Sequence, residues 1–336
     1  MANQFEVPAN LGGPVQMGGK LFGRKCSFRV LDNNGAGLDL SQFRVTFKVH
    51  QLDHETPNTM VVTIYNLSDD TMNRIGGEFT NVLLQAGYEG ASYGQIFTGN
   101  IKWIERGKEK NTDKYLRIWA ADGDQAYNFT TCNHALAAGS TAKDVMDYLT
   151  GQFAQNGVGK SADFDHFVGT IPPVALSRGK VLMGMARTHM AEWSTKNGFR
   201  WSTQHGNLTL VPVTGYRPGE AVVLSSTTGL IGTPRADQGG VSVRCLLNPN
   251  IVIGGLIQVA HDDINTLTTN QTGLKFKDVQ ISAATTWQGL YRVLVAEHEG
   301  DTRGRPWYTD IIALAVDQTA PDQMKSVSAT GFGLHL

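Results

Sequence analysis

One segment of the chain matches the relaxed pattern of a phosphate-binding loop. Residues 154–161 read Ala-Gln-Asn-Gly-Val-Gly-Lys-Ser, and such a loop holds a nucleotide phosphate when it leaves a strand and opens a helix. Here the order is reversed, because a helical pattern precedes the motif and residues 162–166 carry no helical stripe. The segment is interpreted as a glycine-rich exit from a helix, and neither a nucleotide nor another cofactor is expected.

Residues able to bind a metal stand in three small groups that lack the spacing of a ligand set. These groups are His50, His54 and Glu55; Cys132 and His134; and Asp122 and Asp124. None repeats at the interval that places ligands on one helix face, as HExxH does, so no metal site is expected. Asp122-Gly123-Asp124 favours an Asx-type turn, and His189 lies on an apolar stripe that is typical of a core histidine.

The chain also lacks the local signatures of a catalytic nucleophile. It has no GxSxG motif, and its cysteines have no nucleophile pattern around them. A glycosidase needs two carboxylates facing each other across a cleft, whereas Glu192, Glu297 and Glu299 are typical of surface residues. The sequence therefore predicts no catalytic residues and a protein that is not an enzyme.

One run of basic and aromatic residues has the composition of a nucleic-acid contact. It contains Lys102, Trp103, Arg106, Lys108 and Lys110. Because Glu105 and Glu109 interrupt its positive charge, the run is interpreted as a solvated hairpin tip.

Composition excludes several classes of protein. Lys plus Arg total 29 and Asp plus Glu total 30, and the net charge of -1 fits neither a polybasic nucleic-acid binder nor a disordered acidic chain. The three cysteines are far apart, so a disulfide framework or zinc site is not expected. The first residues lack the basic and apolar parts of a signal peptide, and no long apolar run occurs. We expect synthesis in the cytosol without secretion or membrane insertion.

The first third of the chain has the alternation of β-strands. Phe43, Val45, Phe47 and Val49 are apolar and the residues between them are polar, which is the period of a strand with one buried face. Further strand candidates are residues 26–31, 61–65, 82–88, 96–105 and 115–120. Six short strands separated by turns such as Asn33-Asn34-Gly35 predict a small barrel.

The spacing of apolar residues changes from that of a strand to that of a helix in the middle of the chain. Helical spacing relates Ala142, Val145, Met146, Leu149 and Phe153, with Ser140 or Thr141 as the N-cap. A second helix is predicted over about residues 180–197, with Gly198 as a left-handed C-cap. A hairpin over 200–211 follows, and the Thr- and Asn-rich residues 264–273 predict a loop. Strand patterns return at 221–224, 241–247, 256–260, 291–298 and 307–314.

Together these patterns predict a mainly β chain with an α+β middle region and two small β-barrel-like domains. The predicted parts are an N-terminal arm (1–20), a first β-barrel domain (21–125), an α+β middle domain (126–215), a second β domain (216–317) and a C-terminal tail (318–336). Both ends are rich in Gly, Pro and polar residues, and we expect them to need a partner to become ordered.

Several short segments occur in a characteristic order. They are TPN at 56–58, IYNLSDDT at 64–71, AGYEG at 86–90, FTG at 97–99 and ADGD at 121–124, followed by GLIGTP at 229–234, CLLNP at 245–249, YRV at 291–293, HEGDTRG at 298–304 and WYT at 307–309. In this order they resemble the baseplate hub proteins of long-tailed bacteriophages, a family shared with contractile injection machines. The resemblance covers about residues 20–315 and rests on the shared order, because no single motif is specific.

The resemblance implies a fold of the phage tail hub type and a structural role in the virion. A homotrimer with two similar barrels per chain would form a pseudo-sixfold ring that joins the sixfold tail tube to the threefold spike. The implied partners are a tail tube or distal tube protein and the central spike protein, with the tape measure protein as a further candidate. DNA would pass through the ring transiently and without specific contacts. The lumen is expected not to be basic, because contacts with the phosphates would retard the DNA. Assembly would take place in the host cytoplasm.

Two other classes of function stay open. A host-surface tail protein that binds carbohydrate would present exposed aromatic side chains in a groove. A tail-associated peptidoglycan hydrolase would need a pair of acids in a cleft.

Two turns contain the candidate interface residues Asn248, Pro249, Asp301 and Arg303. Proline fixes φ and removes a ladder donor, so the strand before Asn248 is expected to end there. The glycines of residues 300–304 allow a tight reversal that a β-carbon would disfavour. Either turn is a plain connection or a contact site. In the second case, Asp301 and Arg303 are expected to hold the turn against a neighbouring element, within or between subunits, by a charge-assisted hydrogen bond.

Overall fold

The computed structural model describes residues 21–33, 35–109, 113–237, 240–259, 265–266 and 289–316. The predicted N-terminal arm and C-terminal tail lie outside these residues, as do Asn34 and most of the 264–273 stretch. Within the described residues the chain is mainly β, as predicted.

The strands are β1 (Arg24–Leu31), β2 (Gly37–Asp39), β3 (Val45–Leu52), β4 (Thr59–Tyr65), β5 (Asn81–Tyr88), β6 (Tyr93–Lys108), β7 (Lys114–Ala121), β8 (Thr131–Leu136), β9 (Gly159–Lys160), β10 (Lys180–Met185), β11 (Phe199–Gln204), β12 (Asn207–Pro212), β13 (Val222–Leu224), β14 (Leu230–Asp237), β15 (Gly240–Leu246), β16 (Leu256–Val259), β17 (Asn265–Thr266), β18 (Leu290–Asp301) and β19 (Trp307–Ala315). The helices are α1 (Asp69–Arg74), α2 (Asp124–Phe129), α3 (Ala142–Gln155), α4 (Phe164–Gly169) and α5 (Ala186–Asn197). None of the helices in the described residues has the length and apolar content needed to cross a membrane.

Most strands belong to one sheet that extends from the first third of the chain to the last. Its order is β17-β14-β15-β19-β18-β3-β4-β7-β6-β5-β1-β2, and β16 pairs with both β13 and β18. The long strand β18 is the link, because Tyr291 and Arg292 pair with β16 whereas Val295 to Asp301 pair with β3. We call β1 to β7 the first β set and β13 to β19 the second β set. Hydrogen bonds between β18 and β3 therefore join the two sets. The domain boundaries at residues 125 and 215 stay predictions.

Three clusters of buried side chains account for this arrangement. Strand β3 shows how the first cluster forms, since Val45, Phe47 and Val49 are buried on one face while Thr46 and Lys48 are not. The second cluster lies between the middle helices and strands β11 and β12. The third forms beneath β13, β15, β16, β18 and β19. Because each cluster needs apolar side chains from several elements, the elements must dock to be stable.

The middle region follows the predicted signals at several points. Thr141 caps α3 in a capping box with Asp144, and Gly198 ends α5 in the left-handed conformation. Strands β11 and β12 form the predicted hairpin, whose turn residues His205 and Gly206 both have positive φ. Two-residue hairpin turns of this kind match the twist of their strands.

The predicted single helix over residues 180–197 is wrong in its first third. Strand β10 pairs antiparallel with β8, and α5 begins only at Ala186. Gly184 has a φ of 114°, which a helix does not allow. Leu182 is buried while Val181 and Met183 are exposed, so the strand carries apolar side chains on both faces and its alternation is hidden.

Three smaller predictions are also corrected, in whole or in part. Residues 162–166 contain the start of α4, which buries Phe164, Phe167 and Val168 at helical spacing in the middle cluster. A turn does occur at Asp122 and Gly123, as predicted, and leads into α2 at Asp124, but the Asp122 carboxylate accepts the N–H of the distant Gly206. Within the predicted loop 264–273, Asn265–Thr266 form a short strand beside β14.

A buried ion pair joins three parts of the fold. Arg292 of β18 bonds to the carboxylate of Asp53, which follows β3, and both side chains are 2% exposed. The other arm of the Arg292 guanidinium donates to the carbonyl oxygen of Pro212, the last residue of β12, at 2.9 Å and to that of Gly215 at 2.8 Å. Arg200 of β11 lies 3.6 Å from the same carboxylate. The pair therefore fixes the first β set, the middle region and the second β set relative to one another.

The first prediction concerns this junction. Asp53→Asn should lower the free energy of unfolding by about 3–5 kcal/mol, because it leaves the buried Arg292 charge without its anion. Chemical unfolding with urea measures the effect. The matched control is Asp310→Asn, which breaks the exposed Arg244–Asp310 pair and should cost at most about 1 kcal/mol. Equal losses in the two variants would contradict the role assigned to Asp53.

Candidate functional site

The turn between β18 and β19 is fastened to the first β set by an ion pair. The carboxylate of Asp301 accepts two hydrogen bonds from Arg44, from Nη2 at 2.7 Å and from Nε at 3.3 Å. It also accepts the backbone N–H of Arg303 at 2.9 Å. Burial alone would raise the pKa of Asp301, but the bonds from Arg44 and Arg303 more than offset it and hold the pKa below its usual value. The carboxylate is therefore charged and oriented at neutral pH.

A second arginine fastens the far end of the same turn. Arg24 of β1 donates to the carbonyl oxygens of Gly304 at 2.6 Å and Arg305 at 3.0 Å. Its guanidinium also lies over the ring of Trp307, 5.5 Å from the centroid. Thr302 completes the attachment, because its backbone and its hydroxyl exchange hydrogen bonds of 3.0 Å with the backbone of Val45.

Arg303 differs from its neighbours because its side chain is exposed. Its side chain donates a long hydrogen bond of 3.4 Å to the carbonyl oxygen of Gln42, and none of the ion pairs in the described part of the chain includes it. Arg303 lines an open cavity of about 500 Å³ together with Gln42, Phe43, Arg44, Tyr65, Asn66 and Asp113. A cation placed in this way is free to bind an anionic or carbonyl group from outside the chain.

The turn at 248–250 serves a packing role within the chain. Strand β15 ends at Leu246, and Asn248 is 1% exposed, with its side-chain oxygen accepting the N–H of Asn250 at 3.0 Å. Pro249 packs over Gly94 of β6, where an added β-carbon would lie 3.4 Å from the proline ring. The second β set therefore touches the first set here.

The structure brings the two predicted turns to opposite sides of one tryptophan. The backbone carbonyl oxygen of Trp307 accepts the N–H of Leu247, and Trp307 is the cross-strand partner of Gly300. It packs edge-on against Phe47 at 5.6 Å and belongs to the first cluster. Asp301 thus forms an ion pair within the chain, and Asn248 and Pro249 pack against their own chain. Arg303 is the one of the four candidates that is exposed.

The phosphate-loop pattern has the predicted helix-first order. Helix α3 precedes it, Gly157 turns the chain with a positive φ, and Lys160 lies in the short strand β9. The Lys160 amine bonds to Asp165 at 3.0 Å. Lys160 is therefore paired with a carboxylate of its own chain.

The candidate metal groups do not assemble into ligand sets. No group of three or more His, Cys, Asp or Glu side chains in the described part of the chain is placed to hold a metal ion. His50 bonds to Glu297 at 2.8 Å, and His134 stacks on Tyr148. Asp124 pairs with Lys102 at 3.0 Å, and His189 lies 3.1 Å from the carbonyl oxygen of Met183.

Asp122 instead belongs to a buried polar junction between the first β set and the hairpin β11–β12. Its carboxylate accepts the N–H of Gly206 at 2.8 Å, and its carbonyl oxygen accepts the hydroxyl of Thr203 at 3.2 Å. Burial raises the pKa of Asp122 to about 7, although the backbone N–H groups of residues 205 and 206 act in the opposite direction. Asn58 extends the junction by donating to the carbonyl oxygen of Thr203 at 2.9 Å.

Two histidines lie in the same buried region. Burial lowers the pKa of His205 to about 4, with a smaller contribution from Arg217. Burial also lowers the pKa of His298 to about 3, with a smaller contribution from His205. Both rings are therefore neutral at pH 7, and folding opposes their protonation.

Several functional residues were missed in the sequence. Arg24 and Arg44 lie more than 250 positions from the turn that they hold, so no local pattern connects them to it. Trp103, assigned to a hairpin tip, lies well inside β6 and stacks on Trp119 of β7. The alternation of half-buried Tyr115, Arg117 and Trp119 with buried Leu116 and Ile118 was a usable signal for this outer aromatic face.

Comparisons with known proteins concern the fold. No protein-family model matches the chain, and no curated protein matches it either. The fold is similar to that of the 43 kDa tail protein of prophage MuSo2 from Shewanella oneidensis, with a TM-score of 0.54 and 8% identity over 90% of this chain and 98% of the other. It is also similar to the tail protein from Neisseria meningitidis MC58, with a TM-score of 0.52 and 10% identity over 87% of this chain and 97% of the other. This confirms the phage tail type of fold implied by the sequence resemblance.

The second prediction concerns Gly304. Gly304→Val should destabilise the protein by about 1–3 kcal/mol, because a β-carbon at this position would collide with the carboxylate of Asp301. The cause is a side-chain collision and not the backbone strain expected of a tight reversal, since Gly304 is not among the residues with positive φ. Thermal melts test it against Gly169→Val, where an added β-carbon meets nothing within 4 Å. A similar loss in both variants would contradict the collision.

The third prediction concerns the pH dependence of Asp122. Its folded pKa of about 7 lies above the ordinary value of 3.8, so its contribution to stability is complete below about pH 4 and is lost as pH rises through 7. Asp122→Asn keeps an acceptor for Gly206 but has no charge. The variant should therefore match the parent near pH 4 and exceed it near pH 8, by up to about 4 kcal/mol at 1.4 kcal/mol per pH unit.

Unfolding in urea at a series of pH values measures this difference. The histidines are present in both proteins, so their own titration largely cancels in the comparison. Asp70→Asn, the same exchange on the exposed first turn of α1, is the control. A difference between variant and parent that stays constant from pH 4 to 8 would refute the assignment.

Proposed function

We propose that the chain is a structural hub component of a bacteriophage tail, part of the virion baseplate and assembled in the host cytoplasm. Three copies form a pseudo-sixfold ring that joins a sixfold tail tube or distal tube protein to a threefold central spike. The ring leaves a channel for DNA, and the tape measure protein is a further candidate partner. The observation that carries the proposal is the likeness of about nine-tenths of the chain to two phage tail proteins.

The continuous sheet supports a ring of this kind. A trimer reaches pseudo-sixfold symmetry only if each chain presents two β sets at a fixed relative orientation. Strand β18 hydrogen-bonds to β3 of the first set and to β16 and β19 of the second. The Arg292–Asp53 pair adds a buried restraint at the same junction. Each chain is therefore built as a rigid double unit.

Local charge pairing supports transient passage of DNA. Many basic side chains lie beside carboxylates, among them Arg29 with Asp39, Arg74 with Glu78, Lys114 with Asp69, Lys143 with Asp147 and Lys160 with Asp165. Compensated cations release few counterions on meeting phosphate, so they bind DNA weakly. The net charge of -1 is consistent with this behaviour.

The hydrolase alternative finds little support in the described residues. A glycosidase acid needs a raised pKa and access to substrate. The pKa of Glu297 is lowered, chiefly by its hydrogen bond to His50. Asp122 has a raised pKa, but its side chain is buried beneath the hairpin turn. Neither of these two acids combines a raised pKa with access to a substrate.

The fourth prediction tests the ring and the exposed cation. Native mass spectrometry and sedimentation should show a trimer. An obligate trimer of this kind is expected to bury more than about 2,000 Å² at each interface. Arg303→Ala should lower the trimer fraction while leaving the thermal melt almost unchanged, because its side chain makes one weak bond in its own chain. Arg178→Ala, which removes an exposed arginine from the loop before β10, is the matched control.

Two outcomes would count against the proposal in different ways. A chain that stays monomeric even with spike and tube proteins supplied would rule out the trimeric hub. A normal trimer fraction in Arg303→Ala would retain the hub and return the 301–305 turn to a role inside its own chain.

A further inference from the structure

The outer face of β6 and β7 alternates aromatic and charged side chains. On β7, Leu116 and Ile118 are fully buried, so Tyr115, Arg117 and Trp119 project from the opposite face. The register places Trp103 opposite Trp119, Glu105 opposite Arg117 and Gly107 opposite Tyr115. We call Trp103, Glu105, Tyr115, Arg117 and Trp119 the β6–β7 platform.

The two tryptophans form the exposed end of the platform. Their rings stack with centroids 4.3 Å apart and an interplanar angle of 29°. Trp103 is 59% exposed, the largest such value for a tryptophan in the described residues. The register of β6 shifts between Ile101 and Trp103, and a bulge of this kind re-aims the side chain that follows it. One flat aromatic surface is therefore supported from below and open to solvent.

Polar contacts hold the rest of the platform in place. Glu105 accepts the Tyr115 hydroxyl at 2.6 Å and lies 3.6 Å from Arg117. Arg117 bonds to the Thr63 hydroxyl at 3.3 Å, and its guanidinium lies 5.2 Å from the centroid of Tyr115 and 5.7 Å from that of Trp119. Gly107 leaves room for the Tyr115 ring, because a β-carbon there would collide with it. The rings and the polar groups are thus oriented before any ligand arrives.

The charges on the platform cancel, which restricts the chemistry of its occupant. Single-stranded nucleic acid needs stacking rings within a net positive groove, whereas Arg117 faces Glu105 and the adjacent Lys102 faces Asp124. The core of a protein interface is depleted in charged residues, whereas here an ion separates one aromatic group from the next. A neutral ligand does not need a net positive groove. If it also has apolar faces and many hydroxyl groups, it can contact both the aromatic rings and the ions between them.

We propose that the β6–β7 platform is a binding site for a neutral oligosaccharide. The C–H face of a sugar ring stacks on Trp103, in the way that apolar surface packs on aromatic rings. Hydroxyl groups of the next sugar bond to Glu105 and Arg117, which keep unused acceptor and donor positions. This activity goes beyond the proposed structural role and does not depend on it.

Calorimetry on the full chain with cellohexaose, maltohexaose and N-acetylchitohexaose tests the site. At least one of these neutral sugars should bind, with an affinity that is insensitive to salt between about 50 and 500 mM, because no net charge is involved. Trp103→Ala should weaken binding by about fivefold or more. Since Trp103 is mostly exposed, the variant should keep the thermal melt of the parent.

Phe129→Ala is the matched control, because Phe129 is 71% exposed but lies outside the platform. It should bind the sugar like the parent. The proposal is overturned if none of the three sugars binds, if Trp103→Ala binds as well as the parent, or if oligothymidylate binds the platform with strong salt dependence. A lower trimer fraction in Trp103→Ala without any sugar binding would also overturn it, in favour of a protein contact.

Discussion

The fold depends on one buried ion pair, Arg292 with Asp53. Removing either charge would leave the other without compensation in the interior, and this cost forces strand β18, the end of β3 and the segment after β12 to meet at one place. Apolar contact also crosses between the parts, because Leu247 and Trp307 of the last third belong to the first cluster. The middle region has its own cluster, and the ion pair is the contact that holds all three parts at one point.

Much of the fold follows from local pattern, because local pattern is what burial on one face requires. Strand β3 and helix α3 were predicted from the period of their apolar residues, and Thr141 and Gly198 from the chemistry of helix ends. Strand β10 was missed because Val181 and Met183 are apolar and exposed. A period is visible in a sequence only when the solvent face is polar.

The candidate site was less accessible to this reasoning. The turn at 300–304 was recognised from its glycines, and its acid was expected to make a charge-assisted bond. The partner of Asp301 is Arg44, and Arg24 binds the carbonyl groups of the same turn. Arg24 lies in β1 and Arg44 directly before β3, both more than 250 residues before the turn, so only the three-dimensional arrangement connects them to it. The stacked tryptophans were similarly hidden, because their contact crosses two strands.

Strand β18 has a mechanical consequence for any assembly that includes the chain. It is hydrogen-bonded to β19 over most of its length, to β16 at its start and to β3 towards its end. A pull along its axis loads these ladders in shear, so many hydrogen bonds must yield together and none can be peeled away singly. Force applied to one β set is therefore transmitted to the other through the backbone, with little stretching at the joint.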